Sequence, residues 1–264
     1  MDEVVSKLMP HASVIFKASG RQRRRRLSPS AVLARVVAPL WPVACGIRPG
    51  ATLDSLEISD DCALCIARAF DEMQSVVPLR LDENTIVFVS ATTLQKHLSA
   101  RSDICFVRAD RSNDLPSLWK DKIVITQCVE SLRQLLTSVL ERAATHREIV
   151  RLPVWAQSTA TLGLFLGYPV VYAYGSAQQD GAGTVFARNF DGNCLGSTGL
   201  VLHKFVFTRE NSEIVLFSFS VPSSLATEFD TTTLDRTTAD LQRIFDCGNV
   251  TRSSQQVHLP VYSM

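Results

Sequence analysis

Asp82-Glu83-Asn84-Thr85-Ile86-Val87-Phe88-Val89-Ser90-Ala91-Thr92-Thr93-Leu94 is the stretch that decides the fold. Its middle, Thr85 to Ser90, is an unbroken β-branched and aromatic run, which reads as a strand buried on both faces. A short helix from Thr92 to Leu98 follows, and then a second buried strand, Ile104-Cys105-Phe106-Val107. From Ile123 to Arg147 the pattern is helical, with Leu132, Leu135, Leu136, Val139 and Leu140 on one face. Strand alternating with helix predicts βα units and a parallel sheet covered by helices.

Toward the N-terminus, Ser28-Pro29-Ser30 caps a helix that the periodicity of Val32, Val36, Val37 and Leu40 carries to Trp41, where Pro42 stops it. Gly46-Ile47-Arg48-Pro49 reads as a turn and Ala51 to Asp54 as a short strand. Ser59-Asp60-Asp61 caps a second helix reaching Met73. Toward the C-terminus, a short apolar helix from Thr159 to Leu166 ends at Gly167-Tyr168, and Pro169 to Tyr174 is a strand. The loop from Gly175 to Gly199 holds six glycines, and a loop of that length in a compact domain is more often functional than neutral. Leu200 to Thr208 and Glu213 to Ser220 form a β-hairpin across Arg209-Glu210-Asn211-Ser212. Leu234 to Phe245 is a closing helix and Val257 to Tyr262 a last strand. The expected fold is α/β: one three-layer domain over 28–264, its mixed sheet parallel in the first half and carrying an antiparallel hairpin in the second. A flexible basic arm, 1–27, precedes it.

The chain has 264 residues, 46% hydrophobic and 20% charged. That excludes disorder, collagen and a disulfide scaffold as descriptions of the whole. Five of the 27 basic residues are Arg21, Arg23, Arg24, Arg25 and Arg26; the remaining 22 stand against 26 acidic ones, so the body is mildly acidic. The body therefore lacks the basic face of a nucleic-acid-binding domain, and the arm is either a phosphate-binding or nuclear-address segment or an inert tail. Seven cysteines, several in apolar surroundings, read as free thiols of a reducing compartment. The start Met1-Asp2-Glu3 has no secretory pattern. The apolar stretch from Leu162 to Tyr174 is too short for a membrane span. The expected location is cytoplasmic or nuclear.

Catalytic and ligand motifs are incomplete. Cys62-Ala63-Leu64-Cys65 has redox spacing at a helix start, but no second pair completes a zinc site, and two core-facing cysteines are the preferred account of it. Ser117-Leu118-Trp119-Lys120 matches a serine acyl-enzyme spacing without its partner motifs. Gly181-Ala182-Gly183 begins like a dinucleotide fingerprint and lacks the third glycine. Cys194 with His203 or His258 has the composition of a thiolate–imidazole pair, although alternation with Leu202 and Lys204 allows His203 to face solvent. Asp54, Ser90 and Asp110 fall at or beyond strand ends, where parallel sheets bind ligands; helix capping is the preferred reading of such residues. No set of metal ligands is evident, and no cofactor is indicated.

Five segments carry a resemblance. They are Gly46-Ile47-Arg48-Pro49 with Asp54, Glu83-Asn84-Thr85-Ile86-Val87 with Ser90, Leu166-Gly167-Tyr168-Pro169-Val170, Asn193-Cys194-Leu195, and Leu216-Phe217-Ser218-Phe219-Ser220-Val221-Pro222 with Leu225. In order and spacing they resemble an uncharacterised eukaryotic family, that of the human chromosome 1 open reading frame 74 protein, over most of the chain after the arm. Arg108 departs from that pattern, where an aspartate follows the strand, and weakens the carboxylate cluster. The resemblance implies one domain with no established activity, so no catalytic residue carries over.

The first functional expectation is a binding or interaction module with a protein partner. The second is a small-molecule binder or enzyme with a pocket at the strand ends, drawn from Asp54, Tyr168, Cys194, Ser218 and Ser220. Phe217 and Phe219 alternate with those serines, giving one aromatic and one hydroxylated face. The third is nucleic-acid association through Arg21 to Arg26.

Overall fold

The structure, a computed structural model, describes residues 2–9, 28–53, 58–70, 76–99, 104–109, 115–146, 148–174, 178–180, 183–187, 195, 198–209, 212–227, 229, 232–245 and 248–258. The chain is an α/β protein with mixed sheets. It divides into two compact units, the first comprising Met1–His97, Leu136–Leu152 and Phe165–Gly167, the second Leu98–Leu135, Pro153–Leu164 and Tyr168–Met264.

In the first unit, α1 (Asp2–Leu8) buries Val4, Val5 and Leu8 and packs on α2 (Pro29–Val32) and α4 (Asp60–Ala69). The expectation that all of 1–27 is a loose arm is therefore corrected for this helix: three apolar residues on one face give it a place in the core. Arg21, Arg23, Arg24, Arg25 and Arg26 lie outside the described residues. Ser28 caps α2, its hydroxyl accepting from the Ala31 amide. The Ala38 amide then reaches back five residues to the Leu33 carbonyl, a π turn over Leu33–Val37. The helix resumes as α3 (Ala38–Ala44) with Pro42 inside it, so Trp41 is not its end. Pro42 contributes no donor, but its carbonyl accepts from the amides of both Ile47 and Arg48 and turns the chain. Ser59 caps α4, whose Ile66 and Phe70 are fully buried.

The sheet of this unit runs β1 (Gly50–Thr52), β3 (Ile86–Ser90), β2 (Val76–Arg80), β6 (Val150–Arg151). Only β2 and β6 are parallel; β3 is antiparallel to both neighbours. Parallel pairing of the first half is thus confined, within this sheet, to β2 and β6, and the cause is local. The Asp82 carboxylate accepts from the amides of Asn84 and Thr85, each at 2.8 Å, an Asx turn that folds β3 back on β2. So short a connection cannot make a parallel crossover. The sequence reading names no strand at β2, and Pro78 within it is unfavourable to one; β6 pairs only with Leu79 and Arg80, so Pro78 lies beyond that pairing. All five residues of β3 are buried, as expected for its apolar run. From Ser90, α5 (Ala91–Ser99) follows directly.

In the second unit, β4 (Cys105–Arg108) pairs antiparallel with β5 (Ser117–Leu118) and parallel with β7 (Val170–Ala173). The long helix α6 (Lys122–His146) starts at Asp121, whose carboxylate accepts from the amides of Ile123 and Val124. Ser158 caps α7 (Thr159–Phe165), bonding both the amide and the hydroxyl of Thr161. The glycine-rich loop contains a small hairpin, β8 (Gln178–Asp180) with β9 (Gly183–Val185). The expected C-terminal hairpin is β10 (Gly199–Arg209) with β11 (Ser212–Pro222), and α8 (Thr232–Ile244) is the closing helix. The last strand differs: β12 spans Asn249–His258 and pairs with β10 along its length. Polar Thr251 to Gln256 conceal it, since edge strands need little apolar sequence.

Gly167 has φ 66°, and a β-carbon there would lie 2.4 Å from Pro49 Cδ; at Gly163 in α7 the nearest atom is Val171 Cγ2 at 3.4 Å. Gly167→Ala is therefore expected to cost about 2 kcal/mol or more from strain and clash, whereas Gly163→Ala gains up to about 1 kcal/mol of helix propensity. Urea unfolding of the two variants against wild type checks the opposite signs.

Candidate functional site

Of the five candidate pocket residues, the structure describes Tyr168, Ser218 and Ser220, all in the second unit. Cross-strand register puts Val201, His203 and Phe205 of β10 opposite Val221, Phe219 and Phe217 of β11. These side chains share one face, on which Phe205 stacks on Phe217 with ring centres 4.4 Å apart and His203 stacks on Phe219 at 5.2 Å. Phe229 joins His203 and Phe219, each at 6.2 Å, and Tyr168 tilts against Phe219 at 5.9 Å. Farther along the same face, Phe207 packs on Phe245 at the end of α8.

Ser218 and Ser220 point to the other face, as the alternation with Phe217 and Phe219 predicts; their register partners on β10 are Lys204 and Leu202. Tyr172 of β7 donates its hydroxyl to the Ser220 carbonyl at 2.9 Å, and its oxygen lies 3.3 Å from Ser220 Oγ. Burial pushes the Tyr172 phenol up to about 12, against a smaller opposing effect of the Ser220 bond. Near it, Ala109, Leu195 and Leu200 form an apolar cluster with Tyr172, Tyr174 and Val257. Tyr168 and the two serines are thus associated with opposite faces of β11. Asp54, Asp110 and Cys194 lie outside the described residues.

Of the strand-end residues Asp54, Ser90 and Asp110, only Ser90 lies among the described residues. Because β1 and β3 are antiparallel, their carboxyl ends lie at opposite ends of the sheet. Ser90 instead caps α5: its Oγ accepts from the Thr93 amide and bonds the Thr93 hydroxyl at 3.0 Å. His203, which alternation allowed to face solvent, is 7% exposed. Its Nδ1 lies 2.9 Å from Ser254 Oγ on β12, its register partner. This pairing links two adjacent strands through their side chains.

Among the described cysteines, Cys62, Cys65 and Cys128 lack the surroundings of a reactive thiol. Cys62 is buried in α4, and burial followed by the nearby Cys62 pushes the Cys65 thiol up, the reverse of an activated redox pair. Burial likewise pushes Cys128 up to about 12. Ser117 stands in β5 and Lys120 after it, not on a helix as an acylating pair requires. Among the described residues, no three His, Cys, Asp or Glu side chains are grouped to hold a metal ion, and no helix is long and apolar enough to cross a membrane.

Sequence reasoning gave no role to Arg48, which is only 5% exposed and donates from Nη2 to the Leu166 carbonyl at 2.7 Å. An arginine between a glycine and a proline in an apolar context is the available signal. Ser254 and Arg252 were missed together with the true extent of β12.

Residues 17–250 match the family model described as "Domain of unknown function (DUF4504)", and the chain belongs to that family. Neither the curated proteins nor the solved structures give a match. The family match spans residues of both units and ends two residues into β12.

Burial, and then the Arg252 charge, lowers the His203 pKa below 6.5. Unfolded chain therefore binds this proton more readily, so the stabilisation is complete above about pH 6.5 and declines as pH falls toward the folded value. Urea unfolding between pH 7.5 and 5 is expected to show that decline, and His203→Gln to flatten it.

Proposed function

We propose that this chain is a binding or interaction module acting through the three-stranded sheet of its second unit. The observation that carries this reading is β12, a ten-residue strand at the sheet's edge whose outer side no other strand occupies among the described residues. Unpaired main-chain donors and acceptors along such an edge are a template for strand addition. The hydroxyl and imidazole groups that a catalytic reading would recruit, in either unit, have structural partners: Ser90 and Ser158 cap helices, Ser220 meets Tyr172, and His203 meets Ser254.

The module is read as one domain over 28–264 working in the cytoplasm or nucleus, in line with its free thiols. The order and spacing of the Leu166-Gly167-Tyr168-Pro169 and Ser218-Phe219-Ser220-Val221-Pro222 segments support placing it with the human chromosome 1 open reading frame 74 protein.

A ligand pocket drawing on Asp54, Tyr168, Cys194, Ser218 and Ser220 is the rival, and one measurement separates the two. Thermal unfolding is followed with nucleotides, sugars, cofactors and divalent ions present. The interaction reading expects no compound to raise the midpoint. A dose-dependent rise, worth roughly 2.7 kcal/mol at about 100 times the dissociation constant and removed by Ser218→Ala or Tyr168→Phe, would replace it with the pocket.

A further inference from the structure

The two edges of the β11-β10-β12 sheet are built differently. Along β11 the register with β10 shifts at Phe205 and Val206, a bulge that leaves Leu216 between the pairs of Phe217 and Val215. Tyr172 holds the Ser220 carbonyl, and β7 packs against β11. Those are devices that keep an edge from adding strands. β12 is more open: its pairing with β10 runs from Gly199↔His258 to Thr208↔Asn249 without a register shift, Asn249–His258 contains no proline and no lysine, and its main chain is held at one end only among the described residues, where the Gln242 side chain of α8 accepts from the Val250 amide.

The chemistry of β12 is close to neutral. Arg252 is its only Arg, Lys, Asp or Glu residue, and Arg252 Nη1 lies 3.0 Å from an Asp235 carboxylate oxygen on α8. Side chains alternate between the sheet's faces. Val250, Arg252 and Ser254 point to the face that carries His203 and Phe205, where α8 packs against β12. Thr251, Ser253 and Gln255 point to the opposite face, and all three are exposed. Hydroxyls and carboxamides both donate and accept, so a row of them is complementary to itself, whereas a charged row would repel its own copy.

We infer that β12 pairs antiparallel with β12 of a second copy of this chain, about a two-fold axis at Ser253, making one six-stranded sheet from two three-stranded ones. This inference rests on the interaction reading and names its partner. A two-fold axis normal to the sheet keeps each side chain on its own face, so the residue on the axis meets itself. With the axis at Ser253, Arg252 meets the second copy's Ser254 and Thr251 meets Gln255; the pairing stops short of Val250, whose amide is held by Gln242. Arg252 never faces itself. Ser254 is a poorer centre, because its hydroxyl is engaged by His203. Pairing by one edge also closes: among the described residues each sheet offers one edge without a bulge, and the outer strands of the product are the bulged β11 of each copy, so growth stops at two. The contact belongs to the stretch beyond residue 250, outside the family match.

Sedimentation of the full chain across micromolar concentrations tests the inference. A concentration-dependent dimer is expected, with self-association weakened roughly tenfold or more in Ser253→Lys/Gln255→Lys, because like charges are brought opposite each other on the axis. An unchanged thermal midpoint for this variant at a concentration where wild type is monomeric shows that the exposed substitutions act on association and not on folding. Register is read by oxidation. Ser253→Cys is expected to cross-link copy to copy. Thr251→Cys is not, since its two copies would lie about 13 Å apart along the paired strands, four residues at about 3.3 Å each and beyond disulfide reach. A wild type that stays monomeric overturns the inference and does so independently of the ligand panel that judges the interaction reading. A dimer that survives both lysines, or a Thr251→Cys variant that cross-links as readily as Ser253→Cys, overturns it as well.

Discussion

A buried guanidinium joins two distant segments of the first unit, the turn at Pro49 and residues 165–167. Arg48 is almost wholly removed from solvent and gives one hydrogen bond to the Leu166 carbonyl; burying such a charge is costly unless hydrogen bonds compensate it. Meeting Leu166 brings Phe165 to Gly167 against the turn at Pro49. The fit is close enough that a β-carbon on Gly50 would stand 2.6 Å from the Phe165 carbonyl oxygen. The Ser90 amide donates to the Pro49 carbonyl on the same stretch of chain. Residues distant in sequence are thereby locked by main-chain contacts, and substitution of either glycine would force backbone or proline-ring atoms apart.

That junction also explains which sequence segments are specific. Gly46-Ile47-Arg48-Pro49, Ser90 and Leu166-Gly167 carry much of the family resemblance, and in the structure they meet. Their contacts are those of packing and capping. Specificity of sequence here reports a demanding fold before it reports a reaction.

Local chemistry was legible in the sequence, and long-range pairing was not. Ser28, Ser59 and Ser90 each cap a helix because a hydroxyl ahead of an apolar-periodic run satisfies an otherwise orphaned amide, and such a signal lies within four residues. The alternation of Phe217, Ser218, Phe219 and Ser220 likewise fixed the two faces of β11. Strand direction depended instead on the Asx turn at Asp82, which competes with the helix-strand alternation that argues for parallel order. β2 was hidden by Pro78, and β12 by its polar residues. The face assigned to His203 could not be settled by alternation, because Leu202 and Lys204 allow either; only Phe219 and Ser254, from two other strands, decide it.

The same His203 ties the aromatic core to the edge strand. Its ring is stacked on Phe219 while Nδ1 holds Ser254, and two residues along β12 Arg252 is paired with Asp235. Farther along, the Gln242 side chain of α8 accepts from the Val250 amide at 2.7 Å and donates to the Gly248 carbonyl. Arg252 and Ser254, which β12 turns toward His203 and α8, and the Val250 amide are thus engaged within the unit. Thr251, Ser253 and Gln255, exposed on the other face, have no such commitment among the bonds that fix the strand. An edge engaged on its inner face and neutral on its outer one presents its main chain at little cost in ordering, since rigidity before contact lowers the entropy lost on contact. That division between the two faces of a single strand is the strongest physical reason to place an interaction, and not a reaction, on this sheet.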